Sequence, residues 1–235
     1  MDFTENQNAV VGVQPASNND INYDEKTEIG FREVHVETQG QLASLLPEEE
    51  RYLISRLKIA GEIGGKDIDV LRDMSKNKYG QGTEGRLSKL DLSEARFVGG
   101  ETFMEGERTA EDNKLVDATF TNCHTLTSIL LPSTITYIGQ YAFAGTSLTE
   151  MTIPRDVNSI EGNAFALQGI KSLKVDEGNK TYYSQNNAIY EKATGKLIRG
   201  CKASGIPEGV VEIGDMAFQD AGLESIVLPK SLKKI

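Results

Sequence analysis

The sequence predicts a β-rich repeat solenoid with short helices and turns, in which stacked coils build a parallel sheet along one wall and one coil carries an inserted β-hairpin. Three observations lead there. The segment from Leu126 to Phe143 recurs along the chain, beginning again 22 residues later. The slot after each short apolar run falls at Pro132, Pro154, Asp176, Pro207 and Pro229, giving intervals of 22, 22, 31 and 22 residues. One such unit cannot stand alone. Ordering it costs about 1 to 2 kcal/mol per residue, and six or seven buried apolar side chains return only about 1.5 to 3 kcal/mol each.

Taken from the N-terminus, residues 1–30 are rich in Asn, Asp and Glu and poor in large apolar side chains, which predicts a flexible tail. Residues 31–110 read as an N-terminal cap with atypical repeats. Within them, Gln41 to Leu53 suits a capping helix or two turns, and Gly64 to Met74 has the apolar spacing of a short helix packed beside a strand. The apolar-x-x-apolar-x-apolar signature of the strands occurs at Ile54, Leu57 and Ile59 and again at Leu87, Leu90 and Leu92.

Residues 111–235 hold the regular repeats. In Leu126, Ile129 and Leu131 the last two positions share one face of a short strand, with Ser128 and Leu130 on the other. Pro132, Ile135 and Ile138 then carry the chain back across the opposite wall, where Ala142 and Phe143 turn inward. Leu148, Met151, Ile153, Pro154, Val157, Ile160, Ala164 and Phe165 repeat those offsets, and Ile213, Ala217 and Phe218 close a later unit. Phe143, Phe165 and Phe218 should therefore point into one shared interior. The 31-residue interval contains nine extra residues, and Asn187 to Gly200 reads as two short strands around a glycine-containing turn, part of a hairpin insertion near 182–200. The strand of that coil is expected near Cys201 to Ile206. The chain stops at Ile235, one slot before the next Gly-x-x-Ala-Phe, so it is expected to be a fragment with an incomplete last coil.

The unit resembles the BspA-like leucine-rich-repeat family of bacterial surface proteins, whose pattern is approximately L-x-x-I-x-L-P-x-x-(L/V)-x-x-I-G-x-x-A-F. Residues 115–235 carry the likeness: Ile138, Gly139, Ala142 and Phe143, and Ile213, Gly214, Ala217 and Phe218, fit closely, whereas Ile160-Glu161-Gly162 displaces the glycine by one. Asp117 to Cys123 is similar to a preceding copy with an interrupted Ala-Phe. The resemblance implies a right-handed leucine-rich-repeat stack, secretion or cell-surface attachment, adhesion through a protein or extracellular-matrix component, and no known catalytic motif.

Composition and motifs narrow the function further. Lysine and arginine total 25 against 35 acidic residues, a net charge of −10 that opposes binding to a phosphate backbone, so nucleic acid is not expected as a partner. No apolar run is long enough for membrane insertion, and no signal peptide opens the chain. Cys123 and Cys201 lack metal-ligand neighbours and read as free buried thiols or a disulfide; His35 and His124 are isolated. No metal, cofactor or catalytic set is expected. Gly61 to Lys66 superficially resembles a phosphate loop, but Asp67 follows the lysine where a hydroxyl belongs. Asn179-Lys180-Thr181 matches a glycosylation sequon that would stay unmodified in a bacterium. What the fold itself lines up is the outward face of the strands: Arg56 and Lys58, Lys89 and Asp91, Ser128 and Leu130, Glu150 and Thr152, Ser172 and Lys174, Ser225 and Val227. This ladder is the candidate partner-binding face, and the chain reads as a non-enzymatic scaffold. The alternative is a structural spacer presenting another domain of a longer protein.

Overall fold

A computed structural model describes residues 30–76, 85–166 and 169–235. In chain order its elements are β1 (Phe31–Val36), α1 (Leu42–Leu45), α2 (Glu48–Arg51), β2 (Arg56–Ile63), α3 (Gly65–Ser75) and β3 (Lys89–Phe97). Then come β4 (Thr102–Phe103), β5 (Arg108–Thr109), β6 (Lys114–Leu115), β7 (Ser128–Leu130), β8 (Tyr137–Ile138), β9 (Glu150–Ile153) and β10 (Ser159–Ile160). The last are β11 (Ser172–Val175), β12 (Tyr182–Gln185), β13 (Ala188–Glu191) and β14 (Leu197–Arg199). Except for Gly30, the expected tail over residues 1–30 lies outside the described residues.

The first wall is parallel throughout. Strands β1, β2, β3 and β7 form one sheet in that order, and β9 pairs in parallel with β11. Alternation drives it: Leu57 and Ile59 of β2, Leu90 and Leu92 of β3 and Ile129 of β7 are buried, while their neighbours face out. β3 carries one extra residue between Asp91 and Glu94, the partners of Lys58 and Ala60. That bulge is held by Asp91, whose carboxylate accepts hydrogen bonds from the Ser93 amide at 2.9 Å and the Ser93 hydroxyl at 2.6 Å.

The opposite wall is a second parallel ladder, β6, β8 and β10, in which Leu115, Ile138 and Ile160 stand one above another. Isolated parallel bridges from Leu197 to Ile213 and from Glu212 to Lys234 carry the same wall toward the C-terminus. Between the walls the rings of Phe120, Phe143 and Phe165 stack, with centroids 5.9 and 5.7 Å apart. All three are fully buried. Phe218 departs from the expectation of one interior. It is only partly buried and belongs to a second cluster with Ala188, Tyr190, Leu197, Val210, Ile213 and Ala217.

Arg199 and Gly200 explain the division. Leu197 holds the place of Ile138 on the wall, but the chain reaches the inward slot three residues later instead of five, so Arg199 and Gly200 stand where other coils put Ala and Phe. The Phe218 ring lies directly against Gly200, in space that any side chain at position 200 would fill. Arg199 is buried and donates to the carbonyl oxygens of Met216 at 3.0 Å and Gln219 at 2.6 Å. Burial lowers its pKa to about 10.

The inserted segment is a three-stranded antiparallel meander of β12, β13 and β14. The two strands read from Asn187 to Gly200 are present, and β12 adds a third before them. The strand expected near Cys201 to Ile206 does not form. There the Cys201 amide donates to the Ser204 hydroxyl at 2.7 Å and the Gly205 amide turns back to Asn186, which closes a local turn instead of a ladder. Ser225 and Val227 likewise lie outside any strand.

At the N-terminal end, Gln41 to Leu53 forms two single-turn helices, α1 and α2, with Leu42 and Leu46 buried beneath them. Asp67, near the start of α3, ties this segment to α3. Its buried carboxylate accepts the amides of Gly40 at 2.6 Å, Leu42 at 2.8 Å and Gly64 at 2.9 Å. α3 buries Ile68, Leu71 and Met74 along one side. From the same helix Arg72, itself buried, donates to the carbonyls of Ala118 and Thr119.

Candidate partner-binding face

Because side chains alternate across a strand, the outward residues of a parallel sheet fall into rows set by register. One row runs Phe31, Arg56, Lys89, Ser128 across β1, β2, β3 and β7; the next runs Glu33, Lys58, Asp91, Leu130. On the following pair of strands Glu150 stands opposite Ser172, and Thr152 opposite Lys174. Ser225 and Val227 do not join these rows, although Val227 is 86% exposed. Phe31 and Glu33 also stand in these rows, on a strand that lacks the spaced leucines of the others. The available signal was the alternation of Val34 and Val36 with Glu33 and His35.

The two rows differ in charge balance. Lys58 lies 2.7 Å from Glu94 and 3.0 Å from Glu33, and hydrogen bonds to these carboxylates hold its ammonium well above the usual lysine range. Nearby Arg32 pairs with Glu50 and Arg96 with Glu62. Arg56 and Lys89 sit side by side in register, and among the described residues neither has a carboxylate partner. Arg56 instead lies over the Phe31 ring, 5.6 Å from its centroid. Around this row the sheet surface dips into a recess bounded by Phe31 at one side and Leu130 at the other. Leu130 is 53% exposed.

Other positions singled out in the sequence resolve into structural roles. The amides near the start of α3 are already occupied, Gly64 by Asp67 and Lys66 by the Glu101 carboxylate at 3.1 Å, so an incoming phosphate would meet two carboxylates. Asn179 of the sequon is buried, with its amide fully hydrogen-bonded. Cys123 and Cys201 are free and buried, and burial pushes the Cys123 thiol up to about 12. His35 and His124 are exposed and far apart in the fold's sequence of elements. Among the described residues no group of His, Cys, Asp and Glu is placed to hold a metal ion, and no helix is long and apolar enough to cross a membrane.

A family model described as BspA type Leucine rich repeat region (6 copies) matches residues 199–235. No protein of curated function matches the chain. A leucine-rich repeat protein from Eubacterium ventriosum ATCC 27560 is 17% identical with a TM-score of 0.50, over 87% of this chain and 57% of that one. A leucine rich cell surface protein from Faecalibacterium prausnitzii A2-165 is 24% identical with a TM-score of 0.47, over 78% of this chain and 57% of that chain. The pneumococcal vaccine antigen PcpA is 20% identical with a TM-score of 0.42, over 79% and 54%. This chain thus spans less than two thirds of the length of each. At these identities the likeness is one of fold: β-rich, leucine-rich-repeat-like, with parallel sheets and few short helices.

Proposed function

From a chain that carries BspA type leucine-rich repeats over residues 199–235, we propose a non-enzymatic scaffold, secreted or held at a bacterial cell surface, that binds a protein or extracellular-matrix component through its outward sheet face. In this reading the coils form a right-handed solenoid, residues 31–110 cap it, and residues 111–235 are its repeats. The observation that supports the reading is the register of the face. Side chains from β1, β2, β3 and β7 stand in straight rows, neighbours within a row about 4.8 Å apart, an evenly spaced surface made by the fold rather than by any loop.

The experiment is a matrix-protein and glycan array probed with the wild-type chain and with a Glu150→Lys, Lys174→Glu variant. Binding of a defined component, lost or weakened about tenfold in the variant, supports the reading. Background-level binding to every component overturns it. The second reading, a structural spacer presenting another domain of a longer protein, draws on one feature: the Lys58 charge is matched within the face by Glu33 and Glu94, as a passive wall allows.

A further inference from the structure

We infer that the row Phe31, Arg56, Lys89, Ser128 seats an extended acidic segment of a protein partner, its carboxylates on Arg56 and Lys89 and its apolar side chains against Phe31 and Leu130. The inference rests on the proposed binding face and names the chemistry of what that face takes.

The argument begins with a charge arrangement the fold bears without relief. Like charges directly across neighbouring strands repel, and Arg56 and Lys89 are register partners in β2 and β3. The cations around them are matched within the chain: Lys58 by two carboxylates, Arg32 by Glu50, Arg96 by Glu62. A carboxylate lying over both side chains would remove the repulsion and gain two charge-assisted hydrogen bonds. The Phe31 ring already holds the Arg56 guanidinium over the sheet, so little ordering remains to be done on binding.

The surroundings select a peptide over a polyanion. Two unmatched cations are flanked by apolar surface, Phe31 on one side and the half-exposed Leu130 on the other, at the rim of one recess. The adjoining row is acidic at Glu33 and Asp91, and the chain as a whole carries −10, which repels a long run of negative charge. Four strands span about 14 Å from first to last. An extended peptide crosses that distance with about four to five residues, enough for one or two carboxylates between apolar neighbours.

The test is a fluorescence-anisotropy titration of the whole chain with a fluorescein-labelled peptide carrying two glutamates between leucines. The same peptide with lysines in place of the glutamates serves as the control. Saturable binding of the glutamate peptide alone is expected, weakened at least about tenfold by Arg56→Glu with Lys89→Glu. The binding should also fall as ionic strength rises from about 0.05 to about 0.5 M. Lys180→Glu, exposed in the loop before β12 and outside the rows, should leave it unchanged. Circular dichroism melts establish that the double variant is folded, and Arg56→Gln with Lys89→Gln gives a second loss of charge without reversal. Equal affinity for both peptides, or binding indifferent to both double variants, overturns the inference. If the array in the preceding section yields a ligand sensitive to Glu150 and Lys174 while the glutamate peptide fails to bind, the acidic-segment inference falls and the binding face stands.

Discussion

Asn179 lies in a loop that a motif search marks for glycan attachment, yet its side chain is among the most committed in the molecule. Its Nδ2 donates to the carbonyls of Pro154 at 2.8 Å and Val157 at 2.9 Å, and its Oδ1 accepts the amides of Thr181 at 2.8 Å and Tyr182 at 2.7 Å. It fastens the coil ending at Val157 to the start of the meander. Asn179→Ala leaves four backbone groups without that partner and should cost about 2 to 4 kcal/mol, read as a lower denaturation midpoint. Titration of desolvated groups gives a second expectation at this scale. Cys123 is raised from 9.0, and Tyr137 and Tyr190 from 10.0, each to about 12, with desolvation the first cause in all three. The unfolded chain releases these protons first, so the folded state binds more protons between about pH 9 and 12 and loses stability as pH rises through that window. Below it the contribution is whole. Denaturant midpoints measured from pH 8 to 12 should decline, and less steeply in a Cys123→Ala, Tyr190→Phe variant.

Among elements, the coil closed by Arg199 is where the repeat rule is broken and rebuilt. Its shortened inward turn replaces an Ala-Phe pair by a buried guanidinium and a glycine, and the Arg199 side chain takes two carbonyls of the turn that follows. Arg199→Ala should cost about 3 kcal/mol or more through orphaned carbonyls and an unfilled space. Hydrogen exchange would show it as faster exchange at the amides of Gly200 and Gly214, with Phe120 and Phe143 still protected. The same coil marks the border of what the sequence makes legible. The leucine-spaced strands β2, β3, β7, β9 and β11 are readable because inward positions recur at fixed offsets, as are α3 and the strands β13 and β14. β12 is not, since Tyr182-Tyr183-Ser184-Gln185 has no apolar alternation and pairs only with its own neighbour. Nor is the loss of a strand at Cys201 to Ile206, which turns on one hydroxyl, Ser204, capturing one amide. β4 and β5 are two residues each and leave no pattern. On the candidate face, Arg56 and Lys89 follow from alternation alone, whereas the half-buried Phe31 row-mate and, among the described residues, the lack of an ion-pair partner for either cation depend on register and side-chain reach.

For the whole molecule, the division of the core into two clusters matters more than its total size. Val36 to Cys201 supplies one continuous interior, and the six buried residues around Tyr190 and Ile213 form another. A stack held by nearest-neighbour contacts unfolds where its interfaces are weakest. The C-terminal cluster, with Phe218 only partly buried and Val227 and Leu228 exposed, should therefore open first. Phe165→Ala should destabilise the main interior by about 3 to 5 kcal/mol. Phe218→Ala should instead leave the main transition in place and advance a minor one, seen as separate phases in a urea titration followed by hydrogen exchange. Between the two interiors the meander makes a turn at Ala193 and Thr194, both exposed, and around Gly195 nothing comes within 4 Å of where a side chain would begin. Neither wall's ladder passes through that tip. A short affinity epitope or a dye-bearing cysteine spliced in at Thr194 would leave the rows undisturbed, giving a handle by which the chain can be immobilised in one orientation with the opposite surfaces free to sample a library.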